Sequence, residues 1–213
     1  MNMREIIEKN PLLAILRNVP AEILIPYVDA IKKGGVSFFE IALNTPDALE
    51  QIRTLKAHFG DEILVGAGTA INVERAKAAI DAGAQFLLAP STDAPVLEYC
   101  RDNGIPMMPG GLTPTDVSVC VSYGFDVIKL FPAGDMPMSY VKSLKGPFDN
   151  TDYVAIGGVN PDNIVEFIQR GCIGAGLGSN MLPKEAVKNR DWEAGTAYVK
   201  ALVEKVNGAL ARK

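Results

Sequence analysis

Lys129 stands in Phe125-Asp126-Val127-Ile128-Lys129-Leu130-Phe131-Pro132, two apolar residues on each side, whereas most other lysines occupy polar helical or loop segments. An amine in the middle of such a run cannot easily reach water sideways. Its ammonium form loses hydration, its pKa falls, and a fraction of free amine can attack a carbonyl to form a Schiff base. The competing readings are a lysine that snorkels at a strand end or one held in a structural ion pair. Glu40 is the matching charge, in Phe38-Phe39-Glu40-Ile41-Ala42-Leu43-Asn44-Thr45-Pro46. A carboxylate beside a developing iminium shuttles protons, and partial desolvation moves its pKa toward neutrality. Otherwise Glu40 only balances the charge of Lys129.

Three further groups point to an anion. Arg17 ends Leu12-Leu13-Ala14-Ile15-Leu16-Arg17 and carries its fork past the run, where it holds an anion or lies on the surface without a ligand. Gly66-Ala67-Gly68-Thr69 ends another run with small residues that let a ligand approach the backbone, the Thr69 hydroxyl in reach. Gly157-Gly158-Val159 and Gly176-Leu177-Gly178-Ser179-Asn180 close the last two runs. Paired glycine turns of this kind suit a phosphate held by backbone N–H groups and a helix N-terminus; tight turns without a ligand are the alternative. His58 is the single histidine, at a helical end beside Phe59, so a His-rich metal centre cannot be assembled within one chain and His58 reads as solvent-facing or capping. Met107 and Met108 read as core filling.

The elements that must position these groups are eight short apolar runs: Leu12–Leu16, Phe38–Leu43, Ile63–Gly68, Phe86–Ala89, Ile105–Met108, Val127–Phe131, Tyr153–Ile156 and Ile173–Leu177. Their near-continuous hydrophobicity is that of parallel strands covered on both faces. Between them lie helical stretches with start signals at Asn72, Thr113-Pro114 and Asn160-Pro161, and stop signals at Gly34-Gly35, Gly83, Gly104, Gly124 and Gly171. In the first, Ile23, Leu24, Tyr27, Val28 and Ile31 share one face. Strand-then-helix units spaced by roughly 20 to 27 residues predict a single-domain (β/α)8 TIM barrel over residues 1–213. A doubly wound open sheet is the alternative, but no GxGxxG follows the first run and no linker divides the chain. In the barrel, strands two and six face each other, so Glu40 and Lys129 converge. Counting by twos, Glu40 and Asn44 share one face, as do Val127, Lys129 and Phe131. The stretch from Trp192 to Lys213 reads as an amphipathic helix that covers either the barrel or a subunit contact.

Composition narrows the function. Of 213 residues, 48% are hydrophobic and 22% charged, which removes disordered and supercharged readings. A net charge of −4 lacks the basic excess a nucleic-acid partner requires. Three scattered cysteines suggest neither a disulfide framework nor a zinc knuckle, which fits a reducing cytoplasm. The N-terminus Met1-Asn2-Met3-Arg4-Glu5 is no signal core, and no run approaches the ~20 apolar residues of a membrane span.

Taken together, Ala14-Ile15-Leu16-Arg17, Glu40-Ile41-Ala42-Leu43-Asn44-Thr45-Pro46, Val65-Gly66-Ala67-Gly68-Thr69, Ile128-Lys129-Leu130-Phe131-Pro132-Ala133, Gly157-Gly158-Val159 and Gly176-Leu177-Gly178-Ser179 resemble one family nearly end to end. It is the class I aldolases of 2-keto-3-deoxy-6-phosphogluconate (KDPG), 2-keto-3-deoxy-6-phosphogalactonate (KDPGal) and 4-hydroxy-2-oxoglutarate (KHG). The resemblance implies that Lys129 forms a Schiff base with pyruvate and Glu40 transfers protons. It implies that Thr69 and Arg17 hold the pyruvate carboxylate, that Gly158, Gly178 and Ser179 bind the distal phosphate, and that Pro90 and Phe131 line the pocket. It further implies a homotrimer and no metal or organic cofactor. Asn44, where phosphogluconate-type members have arginine, and Ile156 before Gly157, where they have threonine, look more like the phosphogalactonate members. A phosphosugar isomerase or epimerase on the same barrel, and a non-catalytic phosphosugar-acid binder, are the alternatives; neither requires a buried amine.

Overall fold

In the computed structural model, which describes residues 2–212, each apolar run becomes a strand. The strands are β1 (Leu12–Leu16), β2 (Phe38–Ala42), β3 (Leu64–Gly68), β4 (Leu87–Leu88), β5 (Met107–Met108), β6 (Gly110–Gly111), β7 (Val127–Leu130), β8 (Asp152–Ile156) and β9 (Gly174–Leu177). The helices are α1 (Met3–Lys9), α2 (Leu24–Lys33), α3 (Ala48–Phe59), α4 (Val73–Asp81), α5 (Ala94–Asp102), α6 (Pro114–Ser122), α7 (Tyr140–Lys145), α8 (Ile164–Gln169), α9 (Lys184–Asn189) and α10 (Trp192–Leu210). All strand neighbours pair in parallel, in the order β5-β4-β3-β2-β1-β9-β8-β7-β6.

The nine strands are eight staves. Pro109, with no N–H to give the ladder, splits the fifth into β5 and β6, and these two pieces are the two ends of the sheet order. Met107 and Met108 pair with β4, Gly110 and Gly111 pair with β7, and Lys129 N donates to Pro109 O at 2.9 Å across the join. The sheet therefore closes on itself as a (β/α)8 barrel.

Strand periodicity sorts the apolar residues into two cores. Leu12, Ala14, Leu16, Phe39, Ile41, Val65, Ala67, Ile128 and Leu130 face the surrounding helices. Leu13, Phe38, Phe86, Leu88, Met108, Val127, Val154 and Ile156 fill the barrel interior. Phe38 and Phe86 pack there with ring centroids 4.6 Å apart. Met3, Ile6 and Ile7 of α1 join the same interior cluster and plug its lower end, each fully buried side chain contributing roughly 1.5–3 kcal/mol. The interior is packed below and polar only in its upper layer, which is where Glu40 and Lys129 lie.

Asn72 accepts from Arg75 N, and Thr113 forms a reciprocal cap with Asp116 ahead of Pro114, so both start signals hold. The third caps a single helical turn: Asn160 Oδ1 accepts from the N–H groups of Asp162 and Asn163 (2.9 and 3.1 Å) and its carbonyl from Ile164 N (3.0 Å), Pro161 following, while the regular helix α8 starts at Ile164. The expected stop glycines Gly35, Gly83, Gly104, Gly124 and Gly171 all have positive φ, the conformation that ends a helix at low cost without a Cβ. On α2 the side chains of Leu24, Tyr27, Val28 and Ile31 are buried, and Ile23 packs from the short 3₁₀ turn before it. Helix α10 lies on α2 and α8 through Val199, Leu202 and Val206, so it covers the barrel. Met1 and Lys213, the outer ends of the first and last segments read from sequence, lie outside the described residues. Among the described residues no helix is long and apolar enough to cross a membrane.

Candidate active site

At the strands' C-terminal ends a cavity of about 510 Å³ opens. Its walls include Arg17 and Asn18 after β1, Glu40, Lys129 and Phe131, the Ile156–Asn160 segment after β8, and Gly176 with Gly178–Asn180 after β9. Glu40 is 1% exposed and Lys129 5% exposed, so both carry ionisable groups into a low-dielectric barrel. Each sits in the middle of its strand: Glu40 lies between Ile15 and Gly66, and Lys129 between Gly110 and Val154. A shallower groove of about 400 Å³ beside α3 and α4 has ionisable groups too, among them Arg53 and Arg75, but none is buried.

Burial drives the electrostatics of the pair. Desolvation pushes the Glu40 carboxyl above its usual range, against the pull of Lys129 and Arg17. Desolvation likewise pushes the Lys129 ammonium below its usual range; Glu40 opposes that shift and Arg17 adds to it. The two groups act on each other through space without closing a salt bridge, and Glu40 Oε2 has no hydrogen-bond partner. The ion pair and the strand-end lysine are thus not what is seen. Lys129 Nζ instead lies 4.9 Å from the Phe131 ring centroid, a cation–π contact that orients the amine without neutralising it.

The glycines of β3 serve a different purpose from the one their composition suggests. A Cβ at Gly66 would fall within the Phe86 ring, and one at Gly68 within the Glu40 carboxyl. They make room for an aromatic filler and for the acid, not for a ligand at the backbone. Gly68→Ala is expected to overpack the site by about 1–3 kcal/mol and to displace Glu40. Calorimetry should show a lowered Tm together with lost turnover; a Tm within a degree of wild type would contradict this.

Of the residues expected in the site, Lys129, Glu40, Arg17, Phe131, Ile156, Gly157, Gly158, Gly178 and Ser179 all line the one cavity. Asn44, Thr69 and Pro90 are not among its walls. Asn44 is exposed in the turn after β2, because the strand ends at Ala42 and period-two counting stops there. Thr69 is half-buried, with φ 64°, on the loop just past Gly68, and Pro90 packs its backbone against Gly110. The loop after β9 is a turn closed by Met181 N on Gly178 O, with α9 starting only at Lys184, so the Gly178–Ser179 pair does not itself open a helix.

Ile15 and Asn18 also line the cavity without having been read as site residues from sequence, as do Asn160, read only as a helix start, and Val159, Gly176 and Asn180, read only as parts of the two glycine turns. Ile15 was accessible by counting in twos from Leu13. Asn18, by contrast, takes a left-handed φ of 55° while its N–H donates to Thr45 Oγ1 (3.1 Å), a bond between two loops that no local pattern announces. Among the described residues no three His, Cys, Asp or Glu side chains come together to hold a metal. His58 is exposed in the last turn of α3, edge-on to Phe59.

The model of the KDPG and KHG aldolases matches residues 3–198. The chain belongs to that family. It is 33% identical to the 2-dehydro-3-deoxy-6-phosphogalactonate aldolase of Escherichia coli strain K12, over 93% of this chain and 97% of that one. Among solved structures it superposes on a native KDPGal structure with a TM-score of 0.86 at 30% identity, covering 95% of this chain and 97% of that one. It also superposes on the KDPG aldolase of Legionella pneumophila, which holds pyruvate captured at low pH as a covalent carbinolamine. There the TM-score is 0.85 at 28% identity, covering 92% and 96%. Membership in this aldolase family sets aside the isomerase, epimerase and silent-binder readings.

Proposed function

We propose that this chain is a class I aldolase that reversibly cleaves a 2-keto-3-deoxy-6-phosphosugar acid to pyruvate and glyceraldehyde 3-phosphate, with Lys129 as nucleophile and Glu40 as acid and base. One observation carries the reading: a desolvated amine and an unpaired carboxyl face one cavity whose rim is formed by the two glycine turns. The carbinolamine of the Legionella relative supports it, since such an adduct requires an attacking amine.

The free amine of Lys129 attacks the C2 carbonyl and gives a carbinolamine. Glu40, whose burial favours the protonated carboxyl, protonates the departing hydroxyl, water leaves, and an iminium forms. The resulting Glu40 carboxylate removes the C4 hydroxyl proton. The C3–C4 bond breaks, its electron pair flows through C3 to the iminium nitrogen, and glyceraldehyde 3-phosphate leaves. The enamine takes a proton at C3, and water hydrolyses the iminium to pyruvate and the free amine. Each proton lost at one step is returned at another.

Arg17, at the mouth and unshared with any carboxylate in the ion pairs seen among the described residues, would hold the pyruvate carboxylate. With Asn44 outside the cavity, Arg17→Ala should raise KM for 2-keto acid substrates by about 10- to 100-fold, the value of a charge-assisted hydrogen bond. Steady-state kinetics with an unchanged KM would refute that role. Gly158, Gly178 and Ser179 would hold the distal phosphate through backbone N–H groups and the Ser179 hydroxyl. Ile156, an apolar wall beside Ile15 and Gly176, cannot hydrogen-bond a C4 hydroxyl, which favours the phosphogalactonate type of substrate or a relaxed choice of epimer. The family resemblance also supports a homotrimer in the cytoplasm, with 4-hydroxy-2-oxoglutarate as a further substrate.

The test is intact mass after incubation with pyruvate and borohydride. A single reduced adduct that maps to Lys129 is expected. No adduct, or an adduct on another lysine, would overturn the assignment.

A further inference from the structure

In the Gly157-Gly158-Val159 turn only Val159 has a side chain, which is buried in the core; Gly157 and Gly158 have none and both take positive φ (84° and 74°). A two-glycine segment of this kind samples many conformations, and a backbone anion site needs its N–H groups held in place beforehand. What holds the two glycine carbonyls lies outside the turn. Asn163, half-buried between the turn and α8, donates from Nδ2 to Gly158 O (3.0 Å) and accepts at Oδ1 from Asn160 N (2.9 Å). The two partners require opposite ends of one amide: a carbonyl needs the NH₂, an N–H needs the oxygen. An apolar side chain of similar shape makes neither bond, and a carboxylate makes only the second.

The second hold comes from the neighbouring loop. Gly134 N donates to Gly157 O at 2.7 Å, and a Cβ at Gly134 would stand 2.7 Å from Gly158 Cα, so backbone packs directly on backbone. Both carbonyls of the turn are thereby tied back into the protein. In a trans peptide the C=O and N–H point in opposite directions, so the N–H groups of Gly158 and Val159 are turned away from these ties. Gly158 and Val159 both line the cavity, and neither N–H has an acceptor among the described residues.

We propose that Asn163 is a positioning residue that fixes the Gly158–Asn160 backbone for the phosphate end of the substrate while touching neither substrate nor Lys129. Of the two ties, Asn163 makes the one that runs through a side chain. The proposal rests on the aldolase reading for its substrate, but the clamp itself can be tested with inorganic phosphate alone.

Asn163→Leu, which keeps the branched shape and removes both bonds, should weaken inorganic phosphate binding by calorimetry about tenfold, and raise KM for the phosphorylated substrate by a similar factor. Its kcat/KM for the unphosphorylated 4-hydroxy-2-oxoglutarate, and its pyruvate–borohydride trapping, should stay at wild-type levels. Asn163→Asp keeps the acceptor for Asn160 N but sets an oxygen against Gly158 O, so it should not restore phosphate binding. Equal losses on phosphorylated and unphosphorylated substrates would mean a merely structural role and overturn the proposal, as would unchanged phosphate affinity. If Asn163→Leu does not fold, Asn163→Asp with wild-type phosphate affinity would likewise overturn it. If the wild type binds phosphate but traps no pyruvate, the aldolase reading fails and the phosphate comparison still decides the clamp.

Discussion

Lys129→Met should lower kcat for aldol cleavage by about 10⁴-fold or more, the scale on which an enzyme loses its covalent nucleophile. Methionine nearly matches the lysine stem in length and volume, so the interior of Val127, Val154 and Met108 keeps its packing and the loss reports the amine alone. The variant should be at least as stable as wild type. At 5% exposure the ammonium is held out of water with no salt bridge in return, and an apolar chain relieves that cost. Stopped-flow or coupled assays of pyruvate release give the rate, and calorimetry gives the Tm. A rate within tenfold of wild type would remove Lys129 from the mechanism; a large fall in Tm would show that the lost activity came from misfolding.

Glu40→Gln is the second large effect, and its sign can be worked out from the electrostatics. Removing the proton shuttle should cost about 10²–10⁴-fold in kcat. Glu40 also raises the pKa of Lys129 through its charge, against the larger lowering by burial. Without the carboxylate, that support disappears and the pKa of Lys129 falls further. More free amine is then present at any given pH, so the acid limb of pyruvate trapping, followed with cyanoborohydride, should move to lower pH even as turnover collapses. A trapping limb that does not move would mean that the carboxyl is already neutral over that pH range and acts as a proton donor without tuning the amine. Unchanged turnover would make Glu40 a mere counter-charge. The unpartnered Oε2 argues against that second outcome, because a counter-charge would be expected to close on the amine.

The two buried charges differ from the two loop asparagines in how much of their role is local. Lys129 and Glu40 are conspicuous because a charge in the middle of an apolar strand has no other place to go, and period two sends both into the interior once the barrel is assumed. Arg17, Phe131, Ile156 and the glycine turns follow from the same argument, since residues at the C-terminal ends of parallel strands share one mouth. Thus strand positions, most helix signals and the core of the cavity wall are legible from the order of residues, because each depends on spacing over a few positions.

The remainder depends on contacts between distant segments. Period two places Asn44 beside Glu40 only while the strand continues, and it stops at Ala42. Gly66 and Gly68 look like ligand-facing residues until Phe86 and Glu40 are seen to occupy the space above them. Pro109 splits a stave, yet the ladder continues on either side of it because β4 and β7 supply partners. Asn160 reads as a helix cap and caps one turn ahead of α8, but nothing local announces that Asn163 also reaches back to Gly158 O. The sequence alone determined the (β/α)8 pattern and the two charged residues, Lys129 and Glu40, that lie buried inside it. Only the tertiary structure decided which small residues yield space to neighbours, which loop groups reach the cavity and which bonds tie the glycine turn back, because those properties arise from packing and hydrogen bonds between segments that no local periodicity encodes.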